Sequence, residues 1–159
     1  MKPFVFFIKL LLVIFMLMFI WGNSFLSGEM SQRESDLVLE VVEPVVEPVQ
    51  EQLYEMGYDI SKELIVRKMA HFTEYFILGI LMYLLFVRPD GRSRYFLPVL
   101  LCAAAAGVDE GIQIFAVDRG PMLRDVALDF FGSCVGILGA ALIVLFIYLG
   151  SERRRSERY

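Results

Sequence analysis

The chain carries a single histidine, His71, with Lys68 three residues before it and Glu74 and Tyr75 three and four residues after it. A second polar group lies downstream in DEGIQIFAVDRGPMLRDVALD, residues 109 to 129. There Asp109, Glu110 and Gln113 precede Asp118 and Arg119, and Arg124, Asp125 and Asp129 follow. Three chemistries suit these residue types. In the first, Lys68, Arg119 and Arg124 hold an anionic headgroup, because the planar arginine fork pairs with carboxylate or phosphate through two hydrogen bonds at once. In the second, Glu110 or Asp109 acts as general acid or base with His71 as partner, since two carboxylates crowded into a low-dielectric site divide into a neutral acid and a charged base. In the third, the groups neutralise one another: Arg119 with Asp109 or Asp125, Lys68 with Glu74, and His71 with Tyr75 or a carbonyl. Removing one partner would then strand a buried charge. No G-x-S-x-G, P-loop or H-E-x-x-H pattern is present, so no reaction class is specified. A metal set of His71, Glu74, Glu110 and Asp129 matches no recognised ligand spacing, and neither a metal nor another cofactor is expected.

The elements that must position these groups are apolar. Of 159 residues, 57% are hydrophobic and only 21% charged, and the mean hydropathy is +0.60. Four stretches, about 3–21, 69–87, 95–117 and 126–149, approach the roughly 20 residues that a helix needs to cross the hydrocarbon. The expected fold is an all-α integral membrane protein, one domain built as a four-transmembrane-helix bundle. An outer loop over about 22–68 and a tail over 150–159 complete it. The first stretch is followed by NSFLSG rather than an A-x-A-like site, so it reads as a retained span, with Lys9 reaching to the near interface. On the second, His71, Glu74, Tyr75, Leu78 and Gly79 share one helix face. On the third, AAAAG from Ala103 to Gly107 permits close helix approach. On the fourth, Gly132, Gly136 and Gly139 form a stripe with one GxxxG, read as packing within the bundle. Cys102 and Cys134 lie in apolar stretches and read as small buried hydrophobes rather than a disulfide.

Residues 22–66 are the long polar region, with ten Asp or Glu against Arg33 and Lys62. Within it, Val38, Val41, Val42, Val45, Val46, Val49 and Leu53 recur at helical spacing between glutamates. That pattern predicts an amphipathic, extracytoplasmic element lying on the bilayer surface or on the bundle. Pro44 and Pro48 predict that this element is broken or kinked. Lys2, Arg88, Arg92, Arg94, Arg153, Arg154, Arg155 and Arg158 flank the opposite helix ends, which by the positive-inside rule places both termini in the cytoplasm. Arg67, Lys68, Arg119 and Arg124 are exceptions on the outer side, each near acids. In this topology His71, Glu74, Asp109, Glu110, Gln113 and Asp129 converge at one depth, on an outward-facing pocket. Ionisable groups at membrane depth are costly and mark function or paired contacts. The bilayer is the expected partner, and the absence of a basic, aromatic-bearing soluble surface excludes nucleic acid.

KMAHFTEYFILG and DEGIQIFAVDRGPMLRDVALDFFGSCVG together resemble the signature regions of the VanZ-like membrane family. The pattern is roughly K-x-x-H-x-x-x-Y, then D-E-x-x-Q-x-F, an arginine turn, D-V and G-x-x-x-G. Lys68, His71, Tyr75, Asp109, Glu110, Gln113, Phe115, Arg119, Asp125, Gly132 and Gly136 occupy the matching positions. The usual Pro-Gly-Arg turn is replaced by Val117, Asp118 and Arg119, and Asp129 stands where the family often has Asn. The resemblance implies a bacterial cell membrane, with an envelope role connected to teicoplanin-type glycopeptide resistance. The outward-facing pocket, read from the residues, is expected to bind an anionic lipid, a cell-wall precursor or a glycopeptide through Lys68, His71, Glu74, Asp109, Glu110, Gln113, Arg119, Arg124, Asp125 and Asp129.

Overall fold

The computed structural model describes residues 3–26, 28–87, 95–116 and 122–156. Five helices follow one another: α1 (Pro3–Ser24), α2 (Gly28–Glu55), α3 (Lys62–Phe86), α4 (Phe96–Gln113) and α5 (Leu123–Ser156). All but α2 are long and apolar enough to cross a membrane, and no strand occurs among the described residues. Phenylalanine and leucine side chains of α1 and α5, such as Phe4, Phe15, Leu142 and Phe146, face outward. That is the expected surface of a lipid-bathed bundle.

Helix directions follow from which ends meet. Lys9 lies against Leu84 and Asn23 against Glu74, so α1 runs antiparallel to α3. Trp21 meets Ala105 and Ser24 meets Asp109, so α1 and α4 are parallel. Phe72 and Phe76 face Gly132 and Gly136 in the same order, making α3 and α5 parallel. The core consists of Val13, Met16 and Ile20 from α1, Tyr75, Leu78 and Met82 from α3, Cys102, Ala105 and Ala106 from α4, and Ile137 and Ala140 from α5. The seam between α3 and α5 is the closest approach. A Cβ on Gly79 would strike the Ser133 carbonyl, one on Gly136 the Phe76 carbonyl, and one on Gly132 would lie 2.7 Å from the Phe72 carbonyl oxygen. The GxxxG therefore packs inside the bundle, as its spacing predicts, although Gly139 has nothing within 4 Å and takes no part. Both cysteines are free thiols.

Helix boundaries differ from those read from hydropathy. Helix α3 starts at Lys62, seven residues earlier, because Ser61 caps it by accepting from the Leu64 amide at 3.3 Å. Its first turns also have something to pack on, as Ile65 and Val66 bury against Val46 of α2. Helix α4 stops at Gln113, and α5 begins at Leu123 and continues as helix into residues 150–156. Lys9 Nζ donates to the Leu84 carbonyl at 2.7 Å, satisfying an acceptor in the last turn of α3.

The amphipathic element, expected to be broken or kinked, is unbroken: α2 is one helix of 28 residues that passes through Pro44 and Pro48. The two prolines stand one turn apart on the exposed side, so the carbonyls they leave without amide partners, those of Glu40 and Pro44, lie away from the packed face. Helix α2 ends in a Schellman motif. Tyr58 N donates to the Leu53 carbonyl and Gly57 N to the Tyr54 carbonyl, both at 2.9 Å, with Gly57 at φ 88°. Only glycine adopts that conformation cheaply, and the turn returns the chain onto α3.

Candidate functional site

The C-terminal ends of α1 and α4 and the N-terminal halves of α3 and α5 share one end of the bundle, and the polar residues gather there. Asp109 is 0% exposed and Asp129 1%. Ser24 Oγ donates to Asp109 Oδ1 at 2.6 Å, and Gln113 Nε2 to Asp109 Oδ2 at 3.4 Å. His71 Nδ1 stands 3.8 Å from Asp109 Oδ2 and 3.7 Å from Asp129 Oδ1. Both separations exceed the reach of a hydrogen bond. His71 Nδ1 and both carboxylate oxygens of Asp129 are buried with no hydrogen-bond partner among the described residues. Three residues from three helices therefore face one another across gaps that no proton bridges directly.

Around this cluster several of the remaining polar groups are engaged, although Glu110 Oε2 is also buried with no hydrogen-bond partner among the described residues. Glu110 Oε1 accepts from the Met122 amide, so this glutamate holds the entry to α5, where a negative charge is favoured. Gln113 bonds Asp109 and not Glu110 among the described residues. Lys68 pairs with Asp125 in the first turn of α5 and not with Glu74. Glu74 Oε1 instead accepts from Asn23 Nδ2 at 2.9 Å. Tyr75, wholly buried, donates its hydroxyl to the Ala105 carbonyl at 3.2 Å rather than to His71. Arg124 is exposed on the first turn of α5. Arg119 and Asp118 lie outside the described residues. Phe115, at a motif position that suggests packing, is 81% exposed just past the end of α4.

Beside the cluster, α1, α2 and α3 enclose a cavity of about 590 Å³. Phe15, Met16 and Phe19 of α1, Val38 and Val42 of α2, and Met69 and Ile77 of α3 supply an apolar wall. Asn23, Ser31, Glu34, Ser35, Arg67, His71 and Glu74 supply a polar end. Its volume falls within the about 300–1,000 Å³ typical of small-molecule sites. Arg67 is half-buried, its Nε is buried without a hydrogen-bond partner, and no ion pair joins it to Glu34 or Glu74 among the described residues. A guanidinium set in this way is poised for an anion. Arg67 stands out in the sequence only as an outer-side basic exception, and Asn23 and Ser24 are not singled out at all. Asn23 and Ser24 read as the polar edge of an apolar run, and only the stop of that run beside the acids of α4 could have drawn attention to them.

The fold and site together define a small polytopic helical membrane protein, with a buried carboxylate–histidine cluster at one end of four spans and an amphipathic cavity next to it. The VanZ/LLP1 family model matches residues 5–147. The chain belongs to that family. Searches of curated proteins and of solved structures each returned no match.

Proposed function

We propose that this protein is an envelope binding protein of the bacterial cell membrane, its cavity open to the outer side and both termini cytoplasmic. The ligand is an anionic lipid or lipid-linked cell-wall precursor. The carrying observation is the Arg67 Nε, buried with no hydrogen-bond partner among the described residues, at the polar end of a cavity with an apolar wall. Acyl chain against Phe15, Phe19 and Ile77 and phosphate against Arg67 is the pose those surfaces favour, because apolar burial supplies affinity and a few placed polar groups supply orientation. A lipoglycopeptide of the teicoplanin type would enter by its acyl chain, since the cavity is sized for a chain or a headgroup. Acid–base chemistry at Glu110 or Asp109 is less well supported, because Glu110 holds the α5 entry and Asp109 is fully buried between Ser24 and Gln113.

The test compares retention of phosphatidylglycerol and phosphatidylcholine with matched chains, by native mass spectrometry of the purified protein. Phosphatidylglycerol should be preferred by about tenfold, a difference of about 1.4 kcal/mol, and Arg67→Ala should erase the preference. Equal retention of both lipids by the wild type sinks the headgroup reading. In a second arm, a sensitive host expressing the wild type should survive a teicoplanin-type lipoglycopeptide better than one expressing Arg67→Ala at equal abundance. Failure of well-inserted wild type to protect removes the antibiotic role and leaves the lipid arm standing.

Orientation is checked separately. Asp36 is exposed on α2, whereas Ser35 is buried against α3, so Asp36 is the informative position for a label. In intact cells and a background lacking Cys102 and Cys134, an impermeant thiol reagent should modify Asp36→Cys and spare Ser151→Cys. The reverse pattern would turn the cavity towards the cytoplasm.

A further inference from the structure

We infer that His71, Asp109 and Asp129 form a binding site for a divalent transition-metal cation, zinc or manganese in class. The inference departs from the sequence expectation of no metal, and it does not depend on the lipid reading. One ligand atom from each of the three residues lies within 4.8 Å of the other two. Clustered acids alone would mean little. The second observation is that Asp129, 1% exposed, has neither carboxylate oxygen hydrogen-bonded among the described residues, and that His71 Nδ1 beside it is also buried without a partner. Buried polar groups are almost always satisfied, and here His71 stands at ion-pair separation from Asp109 and Asp129 with no hydrogen bond between them, which leaves room for a third species.

The separations identify that species. At 3.7 and 3.8 Å, the histidine–carboxylate gaps are too long for a proton to bridge. Adjacent ligands on a tetrahedral ion with bonds of about 2.1 Å stand about 3.4 Å apart, so a small inward shift seats an ion where a hydrogen bond cannot form. One imidazole and two carboxylates suit a borderline-hard cation and leave coordination positions for water or a ligand oxygen. Support from outside the ligand set is present. Ser24 Oγ holds Asp109 Oδ1 and Gln113 Nε2 holds Oδ2, the kind of outer contacts that orient a ligating carboxylate. The glycine seam fixes α3 against α5, and with it the spacing of His71 from Asp129. His71 also lines the cavity, so an ion here would sit at its polar end.

The full chain is purified in detergent with a tag free of histidine and without chelators, and its metal content is measured by plasma mass spectrometry. It is then stripped, reloaded with zinc or manganese alone, and followed by thermal unfolding. The expected result is one equivalent of one of these metals per chain, and a raised unfolding midpoint on reloading. Asp129→Asn and His71→Gln should lower metal affinity by about tenfold or more, while Glu74→Gln, which faces the cavity outside the ligand set, should keep it. Metal-free wild type whose midpoint does not move with either ion overturns the proposal, as does Asp129→Asn that retains wild-type metal. If the variants do not fold, the stripping and reloading of the wild type decides the matter.

Discussion

Gly136→Val is expected to be strongly destabilising. A Cβ at residue 136 would fall against the Phe76 carbonyl and close to the Ile80 amide, which are main-chain atoms of α3 and cannot rotate away as a side chain could. Helices α3 and α5 would have to separate, and Tyr75, Leu78 and Met82 would lose their contact with Ile137 and Ala140 along the seam. Overpacking a core typically costs about 1–3 kcal/mol, and a clash between two backbones belongs at or above the upper end. Against a total stability of about 5–15 kcal/mol, that loss removes a large share of the margin and lowers the unfolding midpoint and the yield of folded protein. Size-exclusion chromatography and thermal unfolding in detergent read the effect. Gly139→Val is the control: with nothing within 4 Å, it should stay within about 0.5 kcal/mol of the wild type. Equal stability of the two variants would show that close approach at this seam is dispensable.

Tyr75→Ala should be nearly as damaging, and Tyr75→Phe mild. The ring is fully buried among three helices, so its removal opens a cavity costing about 3–5 kcal/mol. Loss of the hydroxyl alone removes one hydrogen bond to Ala105, worth about 1 kcal/mol. The carbonyl is not stranded in Tyr75→Phe, because Trp21 Nε1 also donates to it at 3.4 Å. Thermal unfolding of both variants should therefore separate them by several degrees. If Tyr75→Phe proved as unstable as Tyr75→Ala, the hydroxyl and not the ring would be what joins α3 to α4 and α1.

The four spans are legible in the sequence because length and apolarity are what a bilayer selects, and the packing role of Gly132 and Gly136 follows from their one-turn spacing. The valines of α2 are harder. Val41–Val42 and Val45–Val46 are neighbouring pairs that diverge around the helix, so Val42 and Val46 turn to α3 while Val41, 79% exposed, and Val45 turn away. A periodicity that serves two faces does not say which one packs. The prolines do not break the helix, since both lie on an exposed side, where the carbonyls they leave without amide partners are not buried. Within the site, the gathering of His71, Asp109, Glu110, Gln113 and Asp129 at one end follows from placing the spans antiparallel. The partners do not follow. Lys68 choosing Asp125 over Glu74 depends on α3 and α5 running parallel in contact, and the contributions of Asn23 and Ser24 depend on how far α1 extends before it ends.

The three polar anchors of α1 also bear on the order in which the protein is made. Lys9, Asn23 and Ser24 are translated first, yet their partners Leu84, Glu74 and Asp109 lie 75, 51 and 85 residues further along the chain. At about 5–20 residues per second, α1 waits several seconds in or beside the insertion machinery before these partners exist. Its apolar bulk has to keep it in the membrane through that interval. Only when α4 has been synthesised does Asp109 meet Ser24, so closure of the polar core is a late step of biogenesis, and it reports that the chain has passed its third crossing.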